Sequence, residues 1–196
     1  DLSRLLLDLY TEQVVGYYDP KTRTLYVMEG VAPADLRPVL AHELVHALQD
    51  QHTDLDSLVA RERGNDRQAA AQAAIEGHAT LVMFALLAEE RTGSGVSIEQ
   101  LPDLGRMLRP ALEAQNDAFP VFRSAPRVIR ESMLFAYLKG AGFVQALWRM
   151  EANGGRPAPI GPWLPLSTEQ VLHPESRFIA NRDEPTELTL GETPSA

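Results

Sequence analysis

Val39-Leu40-Ala41-His42-Glu43-Leu44-Val45-His46-Ala47-Leu48 is the stretch from which the rest of this chain is read. Two histidines four residues apart, with a glutamate directly after the first, form an H-E-x-x-H string that on a helix presents two imidazoles to one metal ion, with the glutamate beside it. At about 100° per residue, placing His42 at 0° puts His46 at roughly 40° and Glu43 at roughly 100°. Leu36, Leu40, Leu44, Ala47 and Leu48 then cluster between roughly 120° and 240°, so the pattern predicts ligands and apolar core on opposite faces. Asp35 is the expected N-cap, and Pro38 is expected in the first turn, where a missing N–H costs little.

Two histidines leave a tetrahedral catalytic zinc without its third protein ligand, the fourth position being kept for water. One candidate is His52, six residues after His46. That spacing belongs to the metzincin pattern, in which a glycine turns the chain back toward the metal; here the glycine position is Gln49. If the helix continues instead, His52 points away from the ligand face and becomes a helix-end or surface residue, the preferred reading. Glu76 is the stronger candidate. It lies in Ala69 to Leu87, a helix-length run that is apolar almost all the way round and so predicts a central buried helix. A carboxylate there is costly unless bound to metal or paired, and a buried ion pair or a protonated glutamate is the alternative. Gly77 fits a helix that approaches a neighbour closely.

With His42-Glu43-Leu44-Val45-His46, Glu76-Gly77-His78-Ala79-Thr80 and an upstream hairpin, the chain resembles the gluzincin zinc metallopeptidases, in particular their small single-domain members, the minigluzincins. The resemblance spans residues 14 to 90, less than half of the chain. It implies a zincin-like domain in which His42, His46 and Glu76 bind Zn2+ and Glu43 is the general base. The family often carries an acidic residue four positions after the ligand glutamate to orient a ligand histidine. Thr80 stands there in this chain, so its hydroxyl or another carboxylate takes that role.

At 196 residues, 44% hydrophobic, the chain is long enough for a substantial core and is expected to form one domain. A net charge of −9, with basic residues scattered, argues against nucleic acid or an anionic membrane surface as partner. The absence of cysteine excludes a disulfide framework and thiolate metal sites. With Glu76, Gly77, His78 and Thr80 inside the longest apolar run, no membrane span is expected. The first residue is Asp, which suggests a trimmed or processed chain and leaves export open.

Punctuation divides the chain into an N-terminal helix and hairpin (1–34), zinc-binding helices (35–90), a helical part with a Pro-rich loop (91–180) and an acidic, loosely ordered tail (181–196). Ser3 to Tyr10 reads as a short helix. Val14 to Tyr18, the turn Asp19 to Arg23 and Thr24 to Met28 read as a β-hairpin. By resemblance to zincins, one hairpin strand forms the upper rim of the cleft and pairs with substrate; an ordinary hairpin is the alternative. Gly93 to Gly95 marks a break, Pro102 to Leu112 a helix, and Phe119-Pro120 a loop. Val128 to Leu138 and Gly142 to Met150 read as two helices or one bent at Gly140, ended by Asn153-Gly154-Gly155, with Met133, Leu134, Phe143, Val144, Leu147 and Trp148 as core. Pro157, Pro159, Pro162 and Pro165 predict a stiff loop of the kind that often carries function.

The expectation is thus an α+β, mostly α-helical domain with a small hairpin beside a zinc helix, acting on a peptide or protein substrate with Zn2+ as cofactor. Two alternatives are a metzincin-like site using His52 and a zincin-like binding module without peptidase activity. The resemblance further implies a Tyr or His, supplied after the glutamate helix, that stabilises the oxyanion, and the chain offers Tyr137 and His173. Ser167 and Gln170 form a capping-box pair for a short helix, and Pro174 takes His173 out of helical geometry at the end of the Pro-rich loop.

Overall fold

The computed structural model of the protein describes residues 1–60, 62, 64–93, 97–114, 118–150 and 155–186. The fold is α+β and mostly helical. Helix α1 (Leu2–Gln13) leads into the antiparallel strands β1 (Gly16–Asp19) and β2 (Thr24–Val27); α2 (Pro33–Asp50), the short α3 (Leu55–Leu58) and the long α4 (Asn65–Thr92) follow. Then come α5 (Leu104–Ala114), α6 (Pro120–Ser124), α7 (Arg127–Met150) and α8 (Thr168–Leu172), with one-turn helical segments at Ile98–Gln100, Gly161–Trp163 and Glu175–Ile179.

The hairpin pairs Tyr17 with Tyr26, whose rings stack at 5.0 Å, and Tyr18 with Leu25. Its turn is closed by Asp19, whose carboxylate accepts from Lys21 N–H and the Thr22 hydroxyl, while Arg23 takes φ 52°. A Cβ on Gly16 would lie 2.8 Å from Val39 and 2.9 Å from the Tyr26 carbonyl, so the glycine lets β1 sit directly on α2.

The core forms where α4 and α7 cross, around Ala70, Ala73, Ala74, Phe143, Val144 and Leu147. A Cβ on Gly77 would lie 2.0 Å from the Gly140 backbone, and one on Gly140 would lie 1.8 Å from the Ala73 carbonyl. Backbone therefore meets backbone, which only the paired glycines allow. Gly140 accordingly marks a crossing and not a break: α7 is one helix through it. Only part of the expected α7 stripe is core. Phe143, Val144, Leu147 and Trp148 are buried, whereas Met133 and Leu134 are half-buried and wall a cavity.

Helix α2, which carries the H-E-x-x-H string, departs from its expected ends. It starts at Pro33 after Ala32, which offers no capping side chain; Asp35 lies inside the first turn and Pro38 inside the helix. Its expected faces are reversed. Leu44 and Leu48 are 59% and 52% exposed, while Glu43, Val45, His46 and Gln49 are buried. The polar face goes inward because α4 supplies partners for it. Around Phe119-Pro120 the expected loop is the short α6, and the one-turn α3, not among the expected elements, is capped by Asp54 accepting from Ser57 N–H. Ser167 caps α8, accepting from Gln170 N–H, but the Gln170 side chain accepts from Leu166 N–H and not from the cap residue itself. The Pro-rich segment holds only the turn at Gly161–Trp163 and packs on the core through Pro159, Leu164 and Pro165. Gly93 ends α4 in left-handed geometry; Ser94 and Gly95, Asn153 and Gly154, and the tail from residue 187 lie outside the described residues. By length and hydropathy α4 would be able to cross a membrane, yet 56% of its most apolar window is buried inside the fold.

Candidate metal centre

His42 and His46 lie one turn apart on α2, and Glu76 faces them from the middle of α4. His42 Nε2 is 3.1 Å from Glu76 Oε2, His46 Nε2 is 3.5 Å from the same oxygen, and the two Nε2 atoms are 3.1 Å apart. Ligands held about 2.0 to 2.1 Å from a tetrahedral ion are separated from one another by roughly 3.3 Å, and this triangle matches that spacing. Three atoms able to present lone pairs to one point lie within hydrogen-bonding distance of one another. His42, His46 and Glu76 thus form a group able to hold a metal ion. His52 is exposed just past the end of α2 and takes no part in the group.

The partners of the histidines fix their chemistry. Gln49 is buried one turn beyond His46. It donates from Nε2 to the Ile75 carbonyl at 3.1 Å and to His78 Nδ1 at 3.0 Å. With both donors so committed, its Oε1, 2.9 Å from His46 Nδ1, accepts a proton from that nitrogen. The lone pair of His46 then sits on Nε2, pointing at Glu76. Burial pushes the His78 imidazole down to about 4, with His46 adding to it, so His78 stays neutral and can accept. The orienting role for which the sequence offered the Thr80 hydroxyl or another carboxylate falls to Gln49; Thr80 is buried and lines the cavity described below. Gln49 occupies the position that glycine takes in the metzincin spacing; its place three residues after His46, one helical turn on, is the one local signal that could have pointed to it.

Burial raises the Glu76 carboxyl, but hydrogen bonds and charge from His42 and His46 more than offset it and bring it down to about 2. The contacts with the two histidines therefore favour the ionised form of Glu76 over the protonated one. Burial pulls the His46 imidazole down, yet the hydrogen bond and charge of Glu76, with Gln49 and Glu43, leave it raised overall. Glu43, 9% exposed, is raised by burial and by Glu76, against the lowering influence of His46, His42 and a backbone hydrogen bond. That bond comes from Tyr18 N–H on β1, 2.8 Å from Glu43 Oε2. The Tyr18 hydroxyl donates to Asp50 Oδ2 at 3.0 Å, so one residue fastens β1 to α2 at two points seven residues apart. No local signal pointed to Tyr18, which lies 25 residues from Glu43.

Tyr137 projects from α7 toward the site, its ring centroid 6.2 Å from that of His42. The charge of Glu76 first, then burial, Glu43 and Tyr10, push its phenol well above the ordinary value, so it remains a proton donor. His173 is elsewhere. It is exposed at the C-cap of α8 with φ −130°, as Pro174 requires, and α8 is tied to the start of α4 by the Thr168 hydroxyl donating to Asp66. Asp66 is ten residues before Glu76, about 15 Å along the helix. Of the two expected donors, the structure brings only Tyr137 to the site.

A cavity of about 640 Å³ opens on His42, Glu43 and Tyr137. Thr80, Met83 and Phe84 of α4 form one wall and Leu108 of α5 with Met133 and Leu134 of α7 another. The chain matches no protein-family model, and comparison with curated proteins and with solved structures finds no match either.

Proposed function

We propose that this protein is a zinc-dependent metallopeptidase of gluzincin type. The observation that carries the reading is the triangle of His42, His46 and Glu76, with Glu43 buried beside it. A set of two imidazoles and one carboxylate is that of catalytic zinc sites with an open position. When bound, zinc supplies Lewis acidity toward the scissile carbonyl and lowers the pKa of water.

The remaining chemistry belongs to the chain. Glu43, with Oε2 fixed by Tyr18 N–H, keeps Oε1 to take the proton of the attacking water and to pass it to the leaving amine. Its raised proton affinity suits a base working near neutral pH. Tyr137, kept protonated, donates to the oxyanion as the carbonyl becomes tetrahedral. Val15 O accepts from Met28 N–H, so by alternation the backbone groups of Gly16 face away from β2, toward the cavity that Gly16 lines. An extended substrate pairs with that edge.

The test is a Glu43→Gln protein assayed for bound zinc by elemental analysis and for hydrolysis of a broad peptide mixture. Retained zinc with hydrolysis reduced by several orders of magnitude is expected, since the essential base is gone while the ligands remain. Undiminished hydrolysis sinks the mechanism. A native protein that binds zinc, hydrolyses nothing and is unaffected by chelator is instead a binding module.

A further inference from the structure

The cavity beside the metal centre is larger than a single side chain needs. Its volume of about 640 Å³ lies within the range of pockets that enclose whole drug-sized ligands. Its roof is built by parts of the chain distant in sequence. Tyr10 and Gln13 come from α1, Phe119 from the N-cap of α6 and Phe122 from within it. These two helices are fastened by one residue: Glu12 accepts from Val121 N–H at 2.7 Å and from Phe122 N–H at 2.8 Å. Below the roof the walls are Phe84, Leu108 and Leu134 with two methionines, Met83 and Met133, whose unbranched side chains adapt to varied apolar shapes.

The charge of the lining selects further. Among the described residues no lysine or arginine faces the cavity, so no basic side chain there pairs with a substrate carboxylate. Glu43 is the one carboxylate that lines it, and the proposed chemistry occupies it. Among the described residues no side chain is left free to pair with either end of a peptide, and a bound metal would be engaged by the scissile carbonyl. We infer that this chamber takes the apolar side chains of an internal stretch of polypeptide, beneath a roof of α1 and α6 that Glu12 latches. The inference rests on the metallopeptidase reading, because the substrate backbone is placed along Gly16.

The test uses the full chain carrying Glu43→Gln, loaded with zinc so that ligand is not consumed. Three octapeptides, acetylated and amidated at their ends, differ only in a central Leu-Phe, Ser-Ser or Asp-Asp pair, and binding is read by fluorescence anisotropy. Leu-Phe is expected to bind at least about tenfold more tightly than Ser-Ser and about a hundredfold more tightly than Asp-Asp, as polar and charged groups lose solvation in an apolar site. Adding Glu12→Ala weakens Leu-Phe binding about tenfold at unchanged zinc content, with Glu12→Gln, which keeps one acceptor, between the two. Adding Met133→Lys moves the preference toward Asp-Asp, a reversal that a merely structural role would not produce. If that variant does not fold, Met133→Ser must still weaken Leu-Phe selectively. Equal affinity for all three peptides, or binding only when an end is unblocked, overturns the inference. Selective binding together with an inert native enzyme leaves the chamber standing and removes the peptidase reading.

Discussion

Helix α4 meets α2 and α7 through successive residues and by opposite means. Toward α2 it presents Glu76 and His78, which join His42, His46 and Gln49 in a buried polar cluster. Toward α7 it presents Gly77, whose missing side chain admits Gly140. At about 100° per residue, neighbours in sequence point to different neighbours in space. One contact is held by directional polar groups and the other by close backbone contact without side chains, through different residues. Local stability and metal affinity should therefore respond separately to changes one residue apart.

The sharpest way to break this contrast is Gly77→Leu. Its Cβ alone overlaps the α7 backbone, which no rotamer relieves, so the helices must part. A loss of at least about 3 kcal/mol in denaturant unfolding of the metal-free protein is expected, enough to unfold many domains of this size. A Gly77→Leu protein of native stability would refute the close crossing.

Glu76→Gln tests the other side. Zinc affinity measured by competition with a chelator should fall about a hundredfold or more, while the metal-free protein stays folded and loses less unfolding free energy than Gly77→Leu, because the shape and packing survive. A parallel collapse of stability would mean that Glu76 serves the fold before the metal.

Gln49→Leu sharpens the comparison by removing only the group that orients His46. Loss of about 10 to 100-fold in zinc affinity is expected, the scale for partners behind a ligand, with Glu76 and both histidines in place. Unchanged affinity would show that His46 is held by packing alone.

The smallest effect is a pH dependence. The folded pKa of His78, about 4, lies below its ordinary 6.5. Between those values the unfolded chain binds the extra proton, so His78 stabilises the fold above about pH 6.5 and loses that contribution as pH falls toward 4. Between pH 6.5 and 5.5 this amounts to about 1 kcal/mol. His46 is shifted the other way, so the quantity to compare is the slope of metal-free stability against pH in the native chain and in His78→Leu. The variant should show the flatter acid limb; identical slopes would mean that His78 is hydrated in the fold.

How the fold was legible varied with the range of the interaction. The helical nature of α2 and α4, the hairpin, the break at Gly93 and the cap at Ser167 rest on signals within a few residues, and each is found in the structure. The orientation of α2 was misread because amphipathic logic assigns leucines to the interior. Here Leu44 and Leu48 face outward, since Glu76, the Ile75 carbonyl and His78 satisfy the polar face and make its burial tolerable. That compensation comes from α4, 26 to 34 residues away for these partners, and no local pattern reports it. His173 was drawn toward the site by a local argument about its loop, whereas α8 docks against the start of α4.

By itself, the sequence determined which side chains are able to bind a metal, because ligand spacing on one helix is set by helical geometry and the cost of an uncompensated carboxylate in an apolar run singles out Glu76. Only the tertiary structure decided that Gln49 orients His46, that Tyr18 holds Glu43, that Tyr137 and not His173 overlooks the centre, and that α1 and α6 roof an apolar cavity. Each of the last three joins residues far apart along the chain, and even Gln49, a turn from His46, has its orientation set by acceptors on α4. Such contacts are chosen by the packing of whole helices, whose free energy is summed over every buried group and is not carried by any short stretch of residues.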